Sequence, residues 1–222
     1  MRRFLRENGL SLVLFFLFSV TLIGGQSVAG YLQNNEDLEE HGQPAEGFGE
    51  YLRGNHFWEA TTENWESEFL QMFLYIVLTV FLFQKGSSES KDPDGPNEVD
   101  RDPDKSRNNK DAPWPVRKGG FVLRLYENSL ALAFLLMFLL SFFGHGVSGR
   151  GEYNEDQALH GRPPVSLGEY MTSSQFWFES FQNWQSEFLA IWSMVVLSIW
   201  LRQKGSAESK PVDSPHGETE GA

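Results

Sequence analysis

The sequence of 222 residues contains no cysteine. A chain without thiols has no disulfide scaffold, no thiolate metal site and no cysteine nucleophile. Basic residues are also scarce, because 18 lysines and arginines stand against 30 acidic residues and the formal net charge is −12. Nucleic-acid-binding proteins need a basic surface to neutralise phosphates, so this charge balance argues against a nucleic-acid partner.

Motifs of catalysis are missing as well. The sequence has no phosphate-binding loop, no Rossmann glycine pattern, no HExxH motif and no recognisable pair of nucleophile and base. We therefore expect a protein that is not an enzyme and that has no catalytic, cofactor-binding or metal-binding residues and no cofactor.

Charge is absent from four windows, although the mean hydropathy of −0.35 suggests a soluble acidic protein. These windows are Leu10–Ile23, Phe69–Phe83, Leu130–Phe143 and Phe188–Leu201. The third is apolar on every side, without the polar face that a helix of a soluble bundle shows. The second and fourth windows are shorter than the apolar core of a bilayer is thick. They span it only if the side chains of basic residues at their ends extend to the membrane surface. The pattern predicts four membrane-spanning helices.

Two segments of the chain repeat each other at an offset of 119 residues. N-W-E-S-E-F-L (64–70) returns as N-W-Q-S-E-F-L (183–189), and Q-K-G-S-S-E-S-K (84–91) returns as Q-K-G-S-A-E-S-K (203–210). Thirteen of these fifteen positions are identical, which indicates a tandem duplication. Between the copies lies a stretch rich in Asp, Pro, Asn, Lys and Arg, a composition typical of a flexible linker.

We predict an all-α membrane protein with four transmembrane helices, built as two tandem-duplicated helical hairpins in parallel orientation. The predicted domains follow in chain order: a first hairpin repeat at 1–91 with spans at about 9–29 and 65–84, a disordered cytoplasmic linker at 92–115, a second hairpin repeat at 116–210 with spans at about 126–147 and 184–203, and a disordered tail at 211–222.

Charge placement predicts the orientation. If both termini and the linker are cytoplasmic, fifteen basic residues lie inside and three outside, as the positive-inside rule requires. The two outer segments then hold 16 acidic residues and a net charge of −13. The N-terminus also resembles a secretory signal peptide. We favour an uncleaved first helix, because a similar segment recurs at 121–149.

The second helix of each hairpin is predicted to be long. Neither Gly nor Pro occurs in 55–85 or in 174–204, and Gly86 and Gly205 follow as expected helix stops. Each of these helices is about 46 Å long, which is more than the thickness of the bilayer core. Their first turns are therefore expected to project outwards. Aromatic residues there, including Phe57 and Phe176, are expected to form a belt at the membrane interface. The face of Glu59, Glu63 and Glu66 is interpreted as a solvated surface.

Glu68 and Glu187 form the main candidate site. They occupy equivalent positions in the two repeats, and ionisable groups at membrane depth are candidates for transport. The alternative is that both lie solvated among lipid headgroups, with Asn64 and Asn183 four residues earlier supplying hydrogen bonds.

Weaker candidates are also repeated. His41 and His160 recur in H-G-x-P beside acidic residues, but the spacing of a metal site is absent and a turn is the simpler interpretation. Glu7 and Glu127 mark the inner ends of the first and third spans, where capping and interaction with the helix dipole explain them.

Three motifs carry a resemblance: E-N-G-L-S (7–11), N-W-E-S-E-F-L-Q (64–71) and F-L-F-Q-K-G-S-S-E-S-K (81–91). They resemble a family of uncharacterised bacterial multi-pass membrane proteins, known as a domain of unknown function. The second copy departs from the first motif at E-N-S-L-A (127–131), where Ser129 replaces Gly. The resemblance implies a location in the bacterial inner membrane and supplies no activity.

The expected function is that of a structural or interaction protein of the bacterial envelope. Its acidic outer loops would contact cations, cell-wall material or a partner protein. The alternative is a small cation or proton channel or transporter component that uses Glu68 and Glu187, which four helices would form only as a homo-oligomer. The expected partners are the lipid bilayer and either a second copy of the chain or another envelope protein.

Overall fold

A computed structural model describes residues 2–219. Met1, the first residue of the predicted first repeat, and 220–222, the end of the predicted tail, lie outside the described residues. Regular structure within 2–219 is entirely helical, with no strand, and the predicted all-α class is confirmed.

The helices in chain order are as follows. The first half contains α1 (Arg2–Ser19), a π-helix (Val20–Gln26), α2 (Ser27–Glu40), α3 (Phe48–Tyr51) and α4 (Asn55–Phe81). The second half contains α5 (Trp114–Lys118), α6 (Gly120–Glu127), α7 (Ser129–Leu159), α8 (Leu167–Met171) and α9 (Ser174–Leu197). Between the halves, 92–113 contain two short 3₁₀ helices, Glu98–Asp100 and Pro103–Ser106.

Two helices among the described residues are long and apolar enough to cross a membrane. They are the continuous helix Arg3–Glu40, which joins α1, the π-helix and α2, and the helix Ser129–Leu159. The wider π-helical turn contains Gly24 and Gly25, and π-turns of this kind interrupt α-helices locally.

Helices α4 and α9 end earlier than predicted. They stop at Phe81 and Leu197, four and seven residues before the predicted ends. Gly86 and Gly205 have positive φ angles of 87° and 84°, but they lie in the turns that follow, so the prediction that they stop the helices directly is wrong.

Serine hydroxyls organise these turns. The hydroxyl of Ser90 accepts a hydrogen bond of 2.8 Å from the backbone N–H of Gln84, and Ser209 accepts one of 2.9 Å from Gln203. These local bonds compete with helix continuation.

The protein's own apolar core is small. Six apolar side chains are buried among the described residues: Tyr51, Phe57, Val116, Leu123, Tyr170 and Phe176. By contrast, many leucines and phenylalanines along α1 and α7 are exposed, Phe16 to 64% and Leu140 to 66%. Soluble proteins rarely expose such continuous apolar surface. The expected place of Phe57 and Phe176 in an interfacial belt is therefore wrong, because both pack inside the protein.

The chain divides into two compact units. The first combines the chain up to Thr62 with Phe143–Phe176, and the second combines Glu63–Phe142 with the chain from Trp177 onwards.

Tyrosines pack over glycines in the first unit. The ring of Tyr51 lies over Gly30, and the ring of Tyr170 lies over Gly149, so closely that a Cβ at either glycine would overlap the hydroxyl. Tyr51 and Tyr170 also pack edge-on against Phe57 and Phe176. Only glycine permits this approach of ring to helix.

Candidate functional site

Polar residues of α4 and α9 meet in the second unit. Glu66 is completely buried, and its Oε1 accepts a hydrogen bond of 3.0 Å from the indole N–H of Trp184. Asn183 donates its side-chain N–H to Glu63 over 2.5 Å. The expected solvated face of Glu59, Glu63 and Glu66 is therefore wrong at Glu66, because this position on α4 packs against protein.

Glu68 and Glu187, the main predicted pair, come together in the second unit. Their carboxylates are close enough to interact electrostatically. Glu68 is exposed and Glu187 is half-buried. The backbone carbonyl of Glu187 accepts a hydrogen bond of 3.2 Å from the side chain of Gln71. The two carboxylates predicted as a pair thus lie within electrostatic range of each other.

The asparagines that precede this pair have other partners. Asn64 is exposed, and its backbone carbonyl accepts a hydrogen bond from Ser67. Asn183 directs its amide to Glu63 and to the backbone carbonyl of Glu179. Asn183 therefore supports Glu63 of the neighbouring helix and not Glu187 of its own.

Glu7 and Glu127 lie at the surface. Glu7 is paired with Arg3 one turn earlier, at 2.7 Å, within α1. Glu127 is the last residue of α6, just before α7. Asn8 and Asn128 each donate to the backbone carbonyl four residues earlier, of Phe4 and Arg124 respectively. These contacts are local. The expected capping is wrong at Glu7, because α1 begins at Arg2 and Glu7 lies inside it.

Carboxylates crowd together in the first unit. Burial raises the pKa of Glu46, and the negative charges of Glu50 and Glu155 raise this pKa further. A hydrogen bond of 2.5 Å from the side chain of Asn34 partly offsets these effects. Glu152 lies within electrostatic range of Glu46 and Glu155. The sequence predicted an acidic outer segment, and the structure shows which of these acids lie within electrostatic range of one another.

A reciprocal pair of hydrogen bonds holds Glu46 in place. Asn35 accepts the backbone N–H of Glu46 at 2.8 Å and donates to its carbonyl at 3.3 Å. The same two bonds, of 2.7 and 3.1 Å, join Asn154 to the backbone of Val165. Each asparagine fixes the loop that follows its long helix, 11 residues later.

The repeated histidines also meet in the first unit. His41 directly follows α2 and His160 directly follows α7, and their ring centroids are 6.0 Å apart in an edge-to-face arrangement. Gly42 and Gly161, the next residues, have positive φ angles of 69° and 65°. The predicted turns are present, and they bring the two imidazoles side by side.

Sequence reasoning missed His145 as a structural residue. It is completely buried within α7 and stacks on Phe176, with ring centroids 4.7 Å apart. A ring nitrogen of His145 also lies within 4.8 Å of a carboxylate oxygen of Glu59. The available signal was a histidine inside an otherwise apolar run.

The second unit contains an apolar cavity of about 340 Å³ between α4 and α9. Leu78, Phe188 and Trp192 contribute to its lining. At its polar edge, the hydroxyl of Tyr75 donates to the carboxylate of Glu89 over 2.9 Å.

Comparisons with known proteins place the chain in a family. No curated protein and no solved structure matches it. A family model does match, over residues 1–221. The chain therefore belongs to the family described as the domain of unknown function DUF6766.

Proposed function

We propose that this chain is a four-span protein of the bacterial cytoplasmic membrane, with both termini and the linker in the cytoplasm. Two helices long and apolar enough to span support this arrangement, as do the exposed apolar side chains along α1 and α7. The apolar second halves of α4 and α9 supply the other two spans. The distribution of basic residues sets the orientation.

Within that arrangement, the protein acts as an envelope interaction protein. Its outer acidic segments bind cationic groups of cell-wall material or of a partner protein. The observation that carries this proposal is the crowding of Glu46, Glu50, Glu152 and Glu155 in the first unit. Burial raises the pKa of Glu46 most, and the charges of Glu50 and Glu155 raise it further. A cationic partner relieves this repulsion, and negative potential also accelerates its association.

Binding of hexalysine to the protein in nanodiscs of zwitterionic lipid tests this proposal. Calorimetry at low ionic strength would compare the wild type with the triple variant Glu46→Gln, Glu152→Gln and Glu155→Gln. We expect about tenfold weaker binding in the variant, because the three carboxylates contribute together about 1.4 kcal/mol.

A matched control removes three acids from the linker: Glu98→Gln, Asp104→Asn and Asp111→Asn. It has the same change in net charge, and we expect its affinity to equal that of the wild type. Equal weakening in both triple variants, or no binding by the wild type, would contradict an outer cation-binding face.

A second candidate function is cation or proton conduction. It is favoured by the electrostatic interaction of Glu68 with Glu187, which two repeats contribute to one site. In proteoliposomes, the wild type would then carry a flux that Glu68→Gln together with Glu187→Gln abolishes. The repeat-related pair Glu7→Gln and Glu127→Gln is the control and should leave the flux intact. Absence of flux in the wild type excludes this candidate.

A further inference from the structure

The histidines that end α2 and α7 have the same local geometry. Nδ1 of His41 lies 2.8 Å from the backbone carbonyl oxygen of Asp37, and Nδ1 of His160 lies 2.9 Å from that of Asp156. In both cases the carbonyl belongs to the last turn of the helix that the histidine follows. The two imidazoles are thus oriented in the same way by their own helices.

This geometry decides which ring nitrogen is available. A carbonyl oxygen only accepts hydrogen bonds, so Nδ1 carries the proton of the neutral ring and Nε2 carries the lone pair. A hydrogen bond from Nδ1 to a backbone carbonyl is also the usual support of a histidine that binds a metal through Nε2. Each histidine can therefore bind a metal ion through the lone pair of its Nε2 atom.

The two rings are also close to each other and open to solvent. Their centroids are 6.0 Å apart, and both side chains are exposed. Nitrogen ligands lie about 2.0–2.1 Å from a bound zinc ion, so binding requires these two exposed rings to rotate until both Nε2 atoms face one point. The carboxylate of Asp156, 3.5 Å from Nδ1 of His160, adds negative charge beside the pair.

We propose that His41 and His160 together bind one divalent transition-metal ion through their Nε2 atoms, with water completing the coordination. Imidazole nitrogens suit Zn²⁺, Cu²⁺ and Ni²⁺. The ion bridges the end of α2 to the end of α7, two segments 119 residues apart in the chain. This site does not depend on the cation-binding face proposed above, since it uses nitrogen ligands.

The competing interpretation is that the histidines are turn residues whose rings merely touch. An edge-to-face contact of exposed rings accounts for their distance. Capping of the last helical turn accounts for both Nδ1 contacts, and this interpretation predicts no metal affinity.

Titration of the full chain in nanodiscs with ZnCl₂ distinguishes the two interpretations. A chelating fluorescent indicator reports the free metal. We expect one ion per chain in the wild type, and affinity at least about tenfold lower in either His41→Gln or His160→Gln. His216→Gln, an exposed histidine in the tail, is the matched control and should bind like the wild type.

A spectroscopic readout keeps the test independent of affinity. With Cu²⁺, electron paramagnetic resonance should show hyperfine coupling to two imidazole nitrogens in the wild type and to one in each single variant. Circular dichroism verifies that the variants fold. Unchanged zinc affinity in both single variants, or a copper spectrum without two nitrogens, would overturn the proposal.

Discussion

Glu46 illustrates how single residues carry the electrostatics of the first unit. Its backbone is held by Asn35, while its carboxylate lies among like charges. Because burial and repulsion disfavour the ionised form, the folded state has a higher pKa at this carboxyl than the unfolded state. The contribution of Glu46 to stability is therefore full below the unfolded pKa of about 4.3 and is lost as the pH rises through the folded value.

Glu46→Gln should stabilise the protein at neutral pH and leave it unchanged near pH 4. The gain in the free energy of unfolding is a few tenths of a kcal/mol, because solvent still screens this half-buried group. Chemical unfolding in detergent between pH 4 and pH 7 measures the difference. Glu36→Gln, on exposed α2, is the control. A gain for Glu46→Gln that is the same at both ends of the pH range would contradict the assigned cause.

Gly149 supports a different prediction at the same scale. The ring of Tyr170 occupies the space of a Cβ at this position. Gly149→Ala should therefore destabilise the protein by about 1–3 kcal/mol through overpacking. Gly168→Ala is the control, since its Cβ would meet no atom within 4 Å. Thermal unfolding followed by circular dichroism compares the two, and equal melting temperatures would show that the tyrosine simply moves aside.

At the scale of helices, α4 and α9 show what sequence patterns predict and what they do not. Their existence followed from long stretches without Gly or Pro, and their apolar second halves followed from the missing charge. The burial of Glu66 did not, because periodicity places a residue on a face without indicating what packs against that face. Because Glu59 and Glu63 lie near Glu66 on α4, composition alone predicted that Glu66 is exposed to solvent.

The contact of Glu66 with Trp184 gives a prediction for this pair of helices. Trp184→Phe removes a hydrogen bond to a buried carboxylate and should cost about 1–3 kcal/mol of unfolding free energy. The double variant with Glu66→Leu should lose less than the sum of the single variants, since it leaves no carboxylate without its donor. Trp192→Phe, exposed on α9, is the control. Additive losses would contradict an energetic coupling.

The same limit applies to the histidine turns. Each H-G-x-P turn was predicted locally, and the positive φ angles of Gly42 and Gly161 agree with it. The contact between the two turns was not predictable. It joins segments 119 residues apart and therefore depends on how α2 and α7 pack.

For the whole molecule, the membership of the family and the helical class were predictable from motifs and from the segregation of charge. The number of membrane spans is harder to predict, because α4 and α9 combine an acidic first half with an apolar second half. Only Arg3–Glu40 and Ser129–Leu159 are apolar over a sufficient length among the described residues. The other two spans are part of the proposed topology, in which each hairpin returns the chain to its starting side.

Topology is tested by reporters at two positions. An alkaline phosphatase fused after Lys210 should be inactive, because that enzyme folds only outside the cytoplasm. The same reporter inserted after Gly161 should be active. The reverse pattern, or activity at both positions, would contradict four spans with cytoplasmic termini.

The paired bonds of Asn35 and Asn154 have a consequence for how the two halves diverge. Asn35 and Asn154 bind only backbone atoms of their partners, so these bonds do not depend on which side chain the partner carries. The partner is Glu46 in one half and Val165 in the other. A substitution at either position, charged or neutral, thus leaves the asparagine bonds in place. Under the predicted duplication, such positions let the two halves become different by single substitutions.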